Sequence, residues 1–340
     1  MRFQFLKLAA TGAALAQSRA HALVVERPGH RACAHMKRDV AILGGGSSGT
    51  YTAVRLQDSG KTVVVVEADD TLGGHTETYT DPVAGQRDDI GVLFFHDIPV
   101  VRDYFARFDI PLEILQMPPA PRGYYGQLLR FPELLEGFDK LPDPVPEDLL
   151  LPFGQFAEKY GTQDVVPMLA LYGQGGLDYE KTTTLYILKY LGPTFVEGLT
   201  AGELTTARRN NQELTKRPTT FCVLATHRRL PGRDRLQIQP SGCPGPHAIT
   251  PAPIDGMTDV KYGSGFHEMF AEEAKAAIIE DLAALAAAIN STSAEPQFVT
   301  FKAHTPFQSM VSKEDIADCF YKRLWELQGH RQTYVTGAAW

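Results

Sequence analysis

The sequence predicts an α/β fold in which a parallel sheet is covered by a second, helical layer. Three observations carry that prediction. Residues 38–43 form a short apolar run that leads straight into a glycine-rich turn, Gly44-Gly45-Gly46-Ser47-Ser48-Gly49. Helical spacing follows over 50–59, and a second apolar run, 62–66, ends on the acid Glu67. Farther along, residues 147–191 carry three apolar stripes at helical spacing, enough for a separate layer.

The first unit reads strand, glycine turn, helix, strand, acid. Gly44 permits the tight turn out of the first strand. Gly46 has no Cβ, so backbone there can approach a pyrophosphate. Gly49, with Ala53 one turn later, lets the helix pack close to the sheet. Ser47, Ser48 and Gly49 open the helix, whose free N–H groups and positive dipole end suit phosphate. Glu67 lies where a carboxylate accepts hydrogen bonds from ribose hydroxyls, and an acid there disfavours a 2′-phosphate. The pattern is the fingerprint of a dinucleotide-binding βαβ unit, with NADP not expected.

Beyond Glu67 the chain runs Ala68-Asp69-Asp70-Thr71-Leu72-Gly73-Gly74-His75. An acid, a short spacer and a Gly-Gly pair resemble the flavin-containing amine oxidase superfamily. Gly73 to Tyr79 look most like its subgroup of β-cyclopiazonate dehydrogenases and, more distantly, polyenoic fatty acid isomerases. The resemblance covers about 38–205 and 261–340. It implies FAD as cofactor, a Rossmann-type FAD-binding domain and a partly helical substrate (cap) domain. It also implies that Gly73 and Gly74 lie along the FAD diphosphate. His75 stands where the family usually has Arg, so the permanent charge of that position is missing.

Composition bounds the rest. The chain has 340 residues, 44% of them apolar, which suffices for two domains, and its net charge of −7 argues against nucleic acid as a partner. Residues 1–22 read as a signal peptide, with Arg2 and Lys7, a short apolar run and the Ala20-His21-Ala22 cleavage pattern. The run is too short to span a bilayer, so a secreted protein without an integral membrane segment is expected. Residues 23–37 read as a linker. The cysteines, Cys33, Cys222, Cys243 and Cys319, show no zinc spacing and specify no pairing. Asn290-Ser291-Thr292 is a glycosylation sequon.

Residues 76–79 and 87–92 are expected to pair as a hairpin. In the resembling family Gly91 and Val92 run beside the flavin ring. Phe94 and Phe95 then admit two readings, a wall beside that ring or ordinary core. His96 admits two as well, a general base or a structurally bonded histidine. A helix over 99–108 and a strand over 111–115 complete the first part of the FAD domain, 38–116. Residues 117–146 have loop composition and open the cap, 117–205.

Residues 206–256 break the pattern with crowded Arg and Pro, and only 221–225 has ordinary strand quality. The segment reads as anomalous, either a disordered insertion or a mistranslated stretch. A helical segment, 257–296, contains a helix over 266–289. Strands are expected over 297–301 and 332–335, with a helix from the near capping box Ser312–Asp315 to Gln328 between them. The last residues resemble the family's second flavin motif, with Gly337 at the ribityl-phosphate and Trp340 beside the ring. These residues, 297–340, form the second part of the FAD domain. The helix that follows in the family is missing here, because the chain stops at Trp340.

The residues imply a small-molecule substrate. The reading favoured is an amine-oxidase-like, FAD-dependent oxidoreductase of secondary metabolism, which takes hydride from a small metabolite or amine with oxygen as acceptor. Two alternatives stand beside it: an FAD-dependent double-bond isomerase of fatty acids, and an inactive, flavin-free product. No catalytic side chain is assigned.

Overall fold

The computed structural model describes residues 37–69, 71–119, 121–166, 168–169, 181–216, 222–225, 245–263, 269–288, 296–304 and 310–337. The expected signal peptide and linker, Asn290 and Trp340 lie outside them.

β-branched residues build the first layer. Strand β1 (Val40–Leu43) lies parallel to β2 (Val63–Glu67), in register from Val40 opposite Val63 to Leu43 opposite Val66. Helix α1 (Ser47–Asp58) connects them and lays Ala53 and Val54 against Val63 and Val65. Here helical and strand periods agree with the tertiary contacts, and the expected βαβ unit forms. Among the described residues β1 is an outer strand, paired with β2 alone, and its Leu43 is 80% exposed.

The expected hairpin forms as β3 (Thr78–Thr80) against β4 (Arg87–Asp89). Asp81 closes its turn by accepting the backbone N–H groups of Val83 and Ala84. Helix α2 (Pro99–Ala106) and strand β5 (Leu112–Leu115) follow. β5 pairs antiparallel with β6 (Glu203–Thr206), so the chain between them is an insertion that leaves and re-enters one two-stranded sheet.

That insertion is the helical cap. Its core holds Tyr124, Leu149, Phe153, Phe156, Leu185, Ile187 and Leu188, all at or near complete burial. Residues 117–146 are not the loop that their composition predicts. They contain α3 (Arg122–Leu128), α4 (Glu133–Glu136) and a 3-10 turn at Phe138–Lys140. Proline misleads here because Pro121 and Pro132 sit at helix N-caps, where they interrupt no helical hydrogen bond. Helices α5 (Glu147–Leu150), α6 (Phe153–Tyr160), α7 (Thr184–Tyr190) and α8 (Pro193–Ala201) complete the layer.

Within 206–256, residues 217–221 and 226–244 lie outside the described residues. A short helix, α9 (Glu213–Lys216), and strand β7 (Cys222–Ala225) form in the described part. β7 runs parallel to β2 and makes the sheet three-stranded, in the order β1-β2-β7. β8 (Gly245–Pro251) pairs antiparallel with β9 (Thr258–Gly263), with an irregularity in register between Pro246 and Ala248. Proline is tolerated at such a bulge. The segment expected to be helical, 257–296, therefore begins as a strand, and its helix α10 spans Ala271–Ala288.

The C-terminal expectations need correction. Neither 297–301 nor 332–335 forms a strand; both are irregular. The expected single helix is broken at Cys319, whose φ of 55° ends α11 (Lys313–Ala317) before α12 (Phe320–Trp325) begins. Ser312 caps α11 by accepting the Asp315 N–H at 3.1 Å, as its capping box predicts. The two helices do not join the sheet. Ile316 and Tyr321 enter the cap core, and the hydroxyls of Tyr186 and Tyr321 lie 2.7 Å apart. Part of the region expected to complete the FAD domain thus belongs to the cap.

Candidate functional site

The turn between β1 and α1 shows why each glycine is there. Gly44 has a φ of +103°, which an L side chain rarely adopts. A Cβ on Gly45 would overlap Leu72 and crowd the Glu67 carboxylate. One on Gly49 would overlap the carbonyl oxygen of Gly44. Packing accounts for Gly45 and Gly49. Gly46 differs, because the nearest atom to its absent Cβ is Gly74 Cα at 3.8 Å, and its φ of −67° demands no glycine. A side chain at Gly46 would occupy the space in front of Gly74.

Around that space the chain leaves N–H donors. Gly46 is the N-cap of α1 and supplies no side-chain cap. The first turn holds no acid of its own, so its positive dipole end lies at Ser47 and Ser48 with no acidic side chain from the helix. The Gly73-Gly74 segment forms the opposite wall. Gly73 donates its N–H to Gly45 O at 3.0 Å and bridges Gly46 in parallel fashion. Thr76 and Thr215 brace this wall. Thr76 Oγ1 donates to Gly73 O at 2.6 Å, and Thr215 Oγ1 to Leu72 O at 3.1 Å.

Glu67 ends β2 beside the turn and is buried. Its Oε2 accepts the Gly45 N–H at 2.6 Å, while Oε1 accepts the N–H groups of Ala68 and Asp69 at 2.5 and 2.9 Å. The carboxylate is thereby fixed at the C-terminal end of the sheet, the usual place for a ligand in such folds.

Gly91 and Val92 pack against the same wall. A Cβ on Gly91 would overlap the carbonyl oxygen of His75, and Val92 donates its N–H to that oxygen at 2.9 Å. Asn211 clamps this segment from β6's far end. Its N–H donates to Asp89 Oδ1 at 2.8 Å and its Nδ2 to Val92 O at 2.6 Å. Burial raises the Asp89 carboxyl above its ordinary range. Phe94 packs on Phe195 and Phe95 on Phe105, which favours the core reading of both rings. Gly337 makes no hydrogen bond to the glycine turn among the described residues.

Several side chains here were not singled out from sequence. Thr76, Thr215 and Asn211 are ordinary polar residues whose partners lie far along the chain. Glu203 is fully buried, with Oε1 3.3 Å from His96 Nδ1. Gly198 makes room for that carboxylate, since a Cβ there would overlap it. His304 packs its ring on His75, with centroids 4.5 Å apart.

The start of α1 offers backbone N–H groups of the kind that hold the diphosphate of a dinucleotide such as FAD. No cluster of His, Cys, Asp or Glu suited to a metal occurs among the described residues. Nor is any described helix long and apolar enough to cross a membrane.

Comparison with known proteins agrees with this geometry. Residues 42–108 match the model of the NAD(P)-binding Rossmann-like domain. The chain is 30% identical to the FAD-dependent oxidoreductase oblC of Cochliobolus heterostrophus, over 89% of this chain and 87% of that protein. It is 29% identical to a β-cyclopiazonate dehydrogenase of Aspergillus oryzae, over 90% of this chain and 89% of that one. Its fold is similar to the crystal structure of a CLA-producing fatty acid isomerase from P. acnes, with a TM-score of 0.60 at 14% identity, over 88% and 93% of the two chains. The chain is an oxidoreductase and belongs to the family of FAD-dependent oxidoreductases.

Proposed function

We propose that this chain binds FAD at the glycine turn, over the start of α1, and oxidises a small organic substrate, with oxygen as the final acceptor. The start of α1, with no side-chain cap and no acid in its first turn, carries the reading. The N–H groups at Ser47 and Ser48 would hold the diphosphate, and Glu67 the ribose. When bound, FAD supplies the hydride-accepting ring. The cap would exclude water from it. His96, whose Nδ1 lies 3.3 Å from Glu203 Oε1, would hold or move a proton. The substrate class favoured is a small metabolite or amine of secondary metabolism, in keeping with the β-cyclopiazonate dehydrogenase among the relatives. The signal reading of residues 1–22 supports a place in the secretory pathway, and N-terminal sequencing of the native protein checks it.

The test is the colour of the purified protein. Visible absorbance bands of bound flavin are expected, and a colourless, folded protein that takes up no added FAD would overturn the reading. The fold likeness to the isomerase motivates a second, redox-neutral reading, in which hydride returns to another carbon of an unsaturated fatty acid. Anaerobic stopped-flow spectra separate the two. Bleaching that persists marks net oxidation, and rapid recovery marks isomerisation.

A further inference from the structure

We infer that Glu203 is a positioning residue for His96: it holds the imidazole with its proton on Nδ1, so that Nε2 is the nitrogen offered to a proton from substrate. The use of Nε2 rests on the reading of His96 above, and the pair itself does not.

Strand register brings the two side chains together. Phe95 and Leu204 exchange both backbone hydrogen bonds, at 2.7 and 2.8 Å, as an isolated antiparallel bridge. The residues next along, His96 and Glu203, therefore face each other as the following pair, where cross-strand side chains come closest. Thr205 Oγ1, donating to Leu93 O at 3.0 Å, ties the same two segments on the other side of the bridge. Helix α8 covers the pair with one face, because Phe195 and Gly198 are three residues apart on it. The Phe195 ring meets the His96 ring edge to face, with centroids 6.1 Å apart and 86° between the planes. Gly198 stands over the Glu203 carboxylate, and a Cβ on it would overlap both oxygens.

The two members differ in burial. The Glu203 side chain is fully buried, whereas that of His96 is 41% exposed. A carboxylate taken out of water needs a hydrogen-bond partner. Among the described residues His96 is the side chain that supplies one, with Nδ1 3.3 Å from Oε1, and Oε2 has no partner. An ionised carboxylate accepts and cannot donate, so the hydrogen between the two groups belongs to Nδ1. In the neutral ring the other nitrogen is then the acceptor. The Nδ1 edge meets a buried group, which leaves the ring's exposure to its remaining atoms, Nε2 among them. When Nε2 takes a proton the ring becomes an imidazolium, and the adjoining carboxylate is its counter-charge.

The experiment is NMR of the full chain carrying nitrogen-15-labelled histidine, at about pH 8, where an ordinary imidazole is neutral. The His96 signals are those lost in H96Q. In the wild type they should report the proton on Nδ1, and that measurement stands however the variants fold. In E203L, which has no acceptor, the proton should shift to Nε2. In E203Q, whose amide can donate as well as accept, both forms should occur. Diethyl pyrocarbonate, which acylates an unprotonated imidazole nitrogen, should modify His96 of the wild type, as located by peptide mapping, and the reaction should be lost in E203L. A wild-type proton on Nε2, a tautomer unchanged in E203L, or a wild-type His96 that does not react would overturn the proposal. None of these readouts needs flavin. A folded protein that takes up no FAD, with the proton on Nδ1, would instead remove the oxidase reading and the use proposed for Nε2, and would uphold the pair.

Discussion

Glu67 Oε2 accepts the backbone N–H of Gly45 at 2.6 Å, so the acid at the end of β2 and the glycine turn at the end of β1 are one structural unit. Losing the charge should therefore be felt twice. Glu67→Gln is expected to weaken FAD binding by about 1.5–3 kcal/mol, the range for hydrogen bonds to charged groups, and also to lower the melting temperature of the apoprotein. Equilibrium titration and thermal melts measure both. An effect on affinity with no effect on the melt would mean that the contact to Gly45 contributes nothing to the fold.

Gly46 and Gly49 should fail in different ways. Gly46→Val places its Cβ in ordinary contact with Gly74, 3.8 Å from its Cα, so a folded, colourless protein is expected, with stability within about 1 kcal/mol of wild type. Gly49→Ala pushes a methyl group into the Gly44 carbonyl, and overpacking of that kind costs about 1–3 kcal/mol. Denaturant melts with FAD absorbance distinguish them. Stoichiometric FAD in Gly46→Val would show that the cradle lies elsewhere.

The pH dependence of stability has two opposed parts. Burial, with the charge of Asp88, raises Asp259 to about 6. That contribution is full below the unfolded carboxyl value of about 3.9 and is lost as pH rises through about 6. His304 acts in the other sense. Lowered to about 4, it contributes stability above the unfolded imidazole value that is lost as pH falls toward 4. Asp259→Asn should therefore gain on the wild type as pH rises from about 4 to 7. Melts across that range check it, and a difference that is constant with pH would show that Asp259 titrates normally.

Tyr321 pins the C-terminal helices to the cap. Its hydroxyl lies 2.7 Å from that of Tyr186, and Tyr186 also accepts the Val311 N–H at 2.8 Å. Tyr321→Phe should cost about 1 kcal/mol, and Tyr321→Ala about 3–5 kcal/mol through the cavity it leaves. Limited proteolysis should then cut near residues 310–325 first. Unchanged cleavage in Tyr321→Ala would mean that this contact does not hold the segment.

The nucleotide half was legible because its signals are local. Val40 to Glu67 carry their strands, helix and turn within one stretch, and each glycine has a local reason. Gly45 has a packing reason as well, since a Cβ there would meet Leu72 and Glu67. The support of the site was not legible, since Thr215, Asn211 and His304 reach it from distant parts of the chain and no spacing announces them. The C-terminal strands failed for a related reason. Residues 297–301 and 332–335 have strand composition, but composition becomes a strand only beside a partner. The prolines of 117–146 and 245–251 misled because proline at a helix cap or a bulge looks, in sequence, like proline in a loop.

The outer edge of β1 has a consequence for handling the protein. A row of backbone donors and acceptors flanked by Leu43, 80% exposed, is a ready template for another chain. Parallel strands in such sheets are ordinarily covered on both faces and both sides. At the concentrations used for crystallisation, edge-to-edge association through β1 should increase. Charge placed at Leu43 would blunt that edge without touching the glycines beside it.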